Sequence, residues 1–136
     1  MQGFVLTTNT FTIRFMYYVA EAPHTCRAFQ DMLPNTYIFA HARVSGAEFW
    51  LGDLTFPEIP QENASVFVLP GEAVLGPSKP ERLKTAGTLG FYYGEGKGLD
   101  ACNIFACVVD EDREELKKLG MYVWNHGAME ITLTAM

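Results

Sequence analysis

The sequence is short of basic residues: 10 Lys and Arg stand against 16 Asp and Glu, for a formal net charge of −6 over 136 residues. Nucleic acids and anionic membrane surfaces both need a basic face to neutralise phosphate, so neither is an expected partner. Cysteine is also scarce. Cys26, Cys102 and Cys107 are an odd number without a C-x-x-C pair, which fits buried free thiols in a reducing compartment and gives a cytoplasmic expectation. No run approaches the ~18 consecutive apolar residues that span a bilayer. The N-terminal MQGFVLTTNTFTIRF has no basic stretch ahead of an apolar core, so it does not read as a secretory signal. Repeats and linker-like stretches are missing too, and a single domain over residues 1–136 is expected.

What the chain has in quantity is apolar surface. Hydrophobic residues make up 49% and charged residues 19%, the balance of a globular chain able to bury a core without staples. In TFTIRFMYY (10–18), Phe11, Ile13, Phe15 and Tyr17 alternate with polar neighbours at the two-residue period of a half-buried strand. With GFVLTT (3–8) it predicts a hairpin turning near Thr8-Asn9. APHTCRAFQDMLP changes period: Pro23 suits a first helical position, Cys26, Phe29 and Leu33 form one stripe, and Pro34 stops the helix. Further strands are expected at 36–44, 47–51, 65–69, 72–76, 87–94 and 103–109, with loops at 52–64 and 76–84. A second helix starts at the acidic DED and carries lysines toward a stop at Gly120. MYVW and AMEITLTA then read as two strands about a turn at Asn125-His126-Gly127. Sequential strands joined by turns favour an antiparallel barrel capped by two helices over a parallel sheet.

Few segments carry chemistry. His24, His41 and His126 show no ligand spacing, so no metal site is expected. GEGKG (94–98) lacks the order of a phosphate loop and precedes no helix; it reads as a flexible connection. Cys107 sits inside the apolar run NIFACVV, the setting of a buried thiol rather than a nucleophile. The remaining candidate is HARVSGAEFWLG (41–52). On a strand, Tyr37, Phe39, His41 and Arg43 share one face, and Ile38, Ala40, Ala42 and Val44 the other. The small aliphatic set is expected to pack inward and the aromatic and cationic set to face out. An arginine so placed can bind a carboxylate bidentately or hold a carbonyl oxygen. The same pattern also fits a plain cross-strand pairing of Arg43 with Glu48 over a Ser45-Gly46 turn.

Ala22-Pro23-His24-Thr25-Cys26-Arg27-Ala28-Phe29 resembles the A-P-K-T-x-x-N-F text that opens the first helix of cyclophilins. The chain is more similar still to a family of small bacterial cyclophilin-like proteins of unknown function. Their H-A-R-[WV]-S-G-E-E, Y-G and N-x-F-A-x-V-V motifs match His41–Glu48, Tyr93-Gly94 and Asn103–Val109. The resemblance covers about residues 4–133. It implies a mainly β fold: a closed eight-stranded antiparallel cyclophilin-like barrel with two capping α-helices and an outer pocket around Arg43. Together with the polar stripe, it gives the expectation of a small carboxylate or amide ligand and no cofactor. Arg43, His41 and Glu48 are the candidate catalytic residues, and Ser45, Phe49, Trp50, Tyr92, Tyr93 and Asn103 the candidate ligand contacts. Active cyclophilins carry F-H-R-x-I-P-x-F-M-x-Q-G-G-D; this chain keeps Arg43 and Gly52-Asp53 but lacks the glutamine, which argues against transferring prolyl isomerisation. Exposed aromatics such as Tyr17, Tyr37 and Trp50 leave a homo-oligomeric interaction protein as a further expectation.

Overall fold

A computed structural model describes residues 1–79 and 84–136. Eight strands and two helices follow in the order β1 (Gly3–Thr7), β2 (Thr12–Tyr17), α1 (Pro23–Gln30), β3 (Asn35–His41), β4 (Gly46–Leu51), β5 (Ala64–Val68), β6 (Glu72–Leu75), β7 (Leu89–Val108), α2 (Arg113–His126) and β8 (Met129–Ala135). A short 3-10 turn, Asp110–Asp112, leads into α2. The β1–β2 hairpin turns where expected: Thr8 Oγ1 accepts the Phe11 amide at 2.9 Å, as turn-forming threonines do.

Among the described residues all pairings are antiparallel, and they run around a ring. The path β2-β1-β8-β3-β4 continues to the first half of β7. β6 then lies between the two halves of β7, with Val74 opposite both Gly90 and Ile104. The second half of β7 returns to β2 through Phe15↔Val108 and Tyr17↔Ala106. Between its halves, β7 leaves the ring and pairs with β5, Val68↔Gly96 and Ser65↔Cys102.

The interior is aromatic. Phe4 stacks on Phe15 at 4.9 Å, and Phe91 meets Phe49 at 5.4 Å and Phe39 at 5.6 Å. Each such side chain, fully withdrawn from water, contributes ~1.5–3 kcal/mol. α1 adds Cys26 and Phe29, the latter 4.9 Å from Phe105. α2 adds Leu116, Leu119 and Val123.

Several sequence expectations change. Residues 121–124, expected as a strand, belong to α2, because Leu116, Leu119 and Val123 continue one buried stripe at helical spacing. Gly120 is inside that helix rather than beyond it: a Cβ there would overlap the Tyr93 ring, so the missing side chain lets α2 seat against β7. The helix stops instead at Gly127, whose φ of 92° suits glycine. GEGKG is strand within a continuous β7, not a loose connection. α1 ends at Gln30, three residues before Leu33, and β3 ends at His41, so Arg43 lies in the turn after it. The facing of β3 is also the reverse of that expected: Phe39 is wholly buried and Ile38 is 63% exposed. Burying the larger ring among Phe49 and Phe91 outweighs burying the aliphatic set. The expected loop at 76–84 falls partly outside the described residues.

Candidate functional site

The alternation that sends Phe49 and Phe91 inward sends Glu48, Trp50, Gly90 and Tyr92 to the outer face of the ring. The outer face would ordinarily be wet. Here β5 and the middle of β7 stand over part of it, burying Val68, Val74, Tyr92, Cys102 and Ile104 in a small second apolar cluster. Between this flap and the β3–β4 turn lies a cavity of about 490 Å³, a size suited to a small organic ligand.

Its floor holds a buried acid. Glu48 is 8% exposed and its Oε1 accepts the Ser45 hydroxyl at 2.5 Å. Glu48 pairs across the strands with Tyr92, whose phenol lies beside the carboxyl. The carboxyl fits only because position 90 is glycine; a Cβ there would overlap Glu48 Oε2. Burial pushes the Glu48 carboxyl from 4.5 up to about 7, against the opposing pull of the Ser45 and Tyr92 hydroxyls. Tyr92 is itself raised by burial and by the neighbouring acid, so it remains a phenol.

The rim is cationic and apolar. Arg43 is exposed on the β3–β4 turn, and among the described residues its guanidinium makes no ion pair or hydrogen bond. Lys84 lines the same cavity, with Asp100 accepting the Lys84 backbone amide at 2.6 Å. Trp50, at 37% exposure, and Leu99, at 60%, supply apolar walls. Cys102 also faces the cavity, but its thiol donates to Thr85 Oγ1 at 3.2 Å and burial raises its pKa, which disfavours the nucleophilic thiolate.

The structure thus gathers Arg43, Glu48, Ser45, Trp50 and Tyr92 on one cavity. His41 touches its edge, yet both ring nitrogens are engaged: Nδ1 faces the Ala42 carbonyl at 2.7 Å and Nε2 the Tyr93 hydroxyl at 2.6 Å. In the neutral ring Nδ1–H donates to Ala42, and Nε2 accepts from Tyr93. The imidazole also packs edge-on to Trp124 of α2 at 4.7 Å. Three expected contacts lie elsewhere. Phe49 is in the core, Tyr93 is on the α2 side, and Asn103 is sealed below α1. Asn103 Nδ2 donates to Thr25 Oγ1 and the Pro60 carbonyl, both at 2.9 Å, while its Oδ1 accepts the Glu62 amide at 3.0 Å. Glu62 in turn accepts from the Thr25 backbone and hydroxyl, tying the start of α1 to the loop before β5. Its role is to hold structure. Tyr17, expected as exposed, is 8% exposed and donates to Gln30 Oε1 at 2.6 Å.

Sequence reasoning missed the far wall: Ser65 and Val68 from β5, and Leu99, Asp100 and Cys102 from β7. Ser65 and Val68 lie in a strand that was expected but whose facing no local pattern gives, and Leu99, Asp100 and Cys102 follow the run read as a flexible connection. Among the described residues no cluster of three or more His, Cys, Asp or Glu is arranged for a metal ion, and no helix is long and apolar enough to cross a membrane.

Mainly antiparallel β structure with two helices gives the chain a cyclophilin-like fold. The chain belongs to the family described as protein of unknown function DUF3830, whose model matches residues 5–135. No curated protein matches it. Among solved structures, it is similar to McbB, determined in complex with tryptophan, with a TM-score of 0.76 and 16% identity. That likeness covers 99% of this chain and 44% of McbB, so the chain spans less than half of that protein. A hypothetical protein of Archaeoglobus fulgidus, AF2241, matches with a TM-score of 0.67 and 14% identity over 99% of this chain and 95% of that one. A cyclophilin-type peptidyl-prolyl cis-trans isomerase of Cryptosporidium parvum matches with a TM-score of 0.55 and 17% identity, covering 85% of this chain and 83% of that one. At such identities the likeness concerns the fold.

Proposed function

We propose that the ring is a closed barrel and that the protein binds a small carboxylate in the outer pocket, with Arg43 as the anion anchor. The observation that carries this is the pairing of a rim guanidinium, without a partner among the described residues, with a largely apolar cavity of about 490 Å³. An arginine at the rim beside apolar walls favours a ligand with an anionic end and a ring or chain. McbB, whose structure holds tryptophan, supplies a second motive, since tryptophan joins a carboxylate to an aromatic ring. Likeness to a prolyl isomerase concerns fold, and fold does not specify reaction.

Calorimetric titration with 3-phenylpropionate and with L-tryptophan tests the reading. Arg43→Ala is expected to weaken the ligand that binds by ~10–100-fold, the worth of a charge-assisted bidentate contact. Binding unchanged by that substitution removes the role given to Arg43.

A further inference from the structure

The pocket holds more than an anion anchor needs. A carboxylate ligand seated on Arg43 gains nothing from a second acid at the floor, and burying that acid is unfavourable. Yet the fold maintains it at three points. Ser45 donates to Glu48 Oε1, Tyr92 brings its phenol alongside, and Gly90 vacates the space that Oε2 occupies. Ser45 holds Oε1, and the Tyr92 phenol is the second hydroxyl in reach of the carboxyl. A carboxyl so held, lining the cavity between two hydroxyls, has the geometry of a proton carrier.

The chemistry within reach of such a carrier narrows the substrate. The Cys102 thiol is kept neutral by burial, and the Ser45 proton is already committed to Glu48. Neither is poised for acyl transfer. Proton removal from a carbon next to a carbonyl needs only a base and a cation for the oxygen that gains charge.

Resting on the small-carboxylate reading, we propose that the pocket catalyses keto–enol proton transfer on a 2-oxo acid with an apolar side chain, using Glu48 as the proton carrier and Arg43 as the oxygen anchor. The ionised Glu48 takes a proton from the carbon adjoining the keto group. The C–H pair forms the C=C bond, and the carbonyl pair moves onto oxygen, where the Arg43 guanidinium, its fork spanning that oxygen and the adjoining carboxylate, balances the charge. Returning the proton from Glu48, to carbon or to oxygen, completes the isomerisation without any net oxidation or co-reactant. The Tyr92 phenol, kept protonated by burial, supplies a neutral donor beside the carboxyl.

The probe is phenylpyruvate in deuterated buffer, followed by NMR at its methylene protons, with 3-phenylpropionate as the non-ketonic binding control. The wild-type protein should exchange those protons well above the buffer rate. Glu48→Gln should still bind the control in calorimetry while losing ~100-fold or more of the exchange. Control binding without exchange above buffer overturns the proton-transfer proposal and leaves the binding reading standing. Binding of neither compound overturns both. Exchange in Glu48→Gln at the wild-type rate overturns the role of Glu48.

Discussion

Replacing Glu48 by glutamine should make the protein more stable above neutral pH while changing little near pH 4.5. The buried carboxyl is pushed from 4.5 up to about 7, so between those values the folded chain holds a proton that the unfolded chain has released. Stability from this group is therefore full below 4.5 and is lost as pH rises toward 7. Each pH decade separating the two values is worth ~1.4 kcal/mol, which makes the full loss about 3 kcal/mol for this separation. Glutamine keeps the shape and a carbonyl for the Ser45 hydroxyl but never ionises. The variant should gain on wild type by about 3 kcal/mol between pH 4.5 and pH 8. For 136 residues, an unfolding entropy of ~2 cal/mol/K per residue converts that to a Tm difference of ~10 °C.

Denaturant unfolding of both proteins at several pH values measures the difference directly. Subtracting the two curves removes groups they share, among them Asp112 and Glu62, whose lowered pKa values give the opposite slope. The titratable groups lining the cavity with Glu48 are Arg43, Lys84, Asp100, Cys102, Tyr92 and, at its edge, His41. Burial moves Tyr92 and Cys102 upward, away from this window. A stability difference that stays flat from pH 4.5 to pH 8 would refute the account of Glu48 as a buried acid with a raised pKa.

The other expectations concern single contacts. Asn103→Ala removes two donors and one acceptor from a wholly buried side chain; it should lower unfolding stability by ~2–4 kcal/mol with ligand affinity unchanged in the folded fraction, and a loss under ~0.5 kcal/mol would contradict that network. Gly90→Ala places a Cβ against Glu48 Oε2 and should cost ~1–3 kcal/mol by overpacking, a penalty that shrinks when combined with Glu48→Ala in a double-mutant cycle. Arg43→Ala, lacking any described partner, should shift stability by less than ~0.5 kcal/mol while weakening binding.

The parts of the molecule legible in the sequence were those where one short-range signal had no rival. Alternation in residues 10–18 gives β2 its buried Ile13, Phe15 and Tyr17, and Pro23 opens α1 as expected. Where two signals competed, the tertiary one prevailed. Gly120 looks like a helix stop, but the ring of Tyr93 needs a residue without a Cβ at that point of α2. The glycines at 94, 96 and 98 look like slack, but in β7 they accompany the strand as it leaves the ring to meet β5. No local rule reports which neighbour a glycine makes room for.

The same limit explains the mixed reading of the site. His41, Arg43, Ser45 and Glu48 lie in one turn and its flanking strands, so local spacing alone sets them near one another. It could not say that Arg43 stands beyond the end of β3, or that His41 turns toward Trp124 and Tyr93 of the α2 side. Tyr92 and Tyr93 are adjacent, and a strand must send them to opposite faces. Choosing which one meets Glu48 requires the register Glu48↔Tyr92, a long-range pairing. Asn103 was drawn in by its motif, yet the motif records a structural need: a buried amide that joins Thr25, Pro60 and Glu62. The pocket therefore owes its chemistry and its Trp50 wall to a turn and its flanking strands, and its far wall to β5 and the middle of β7, and only the first of these was visible locally.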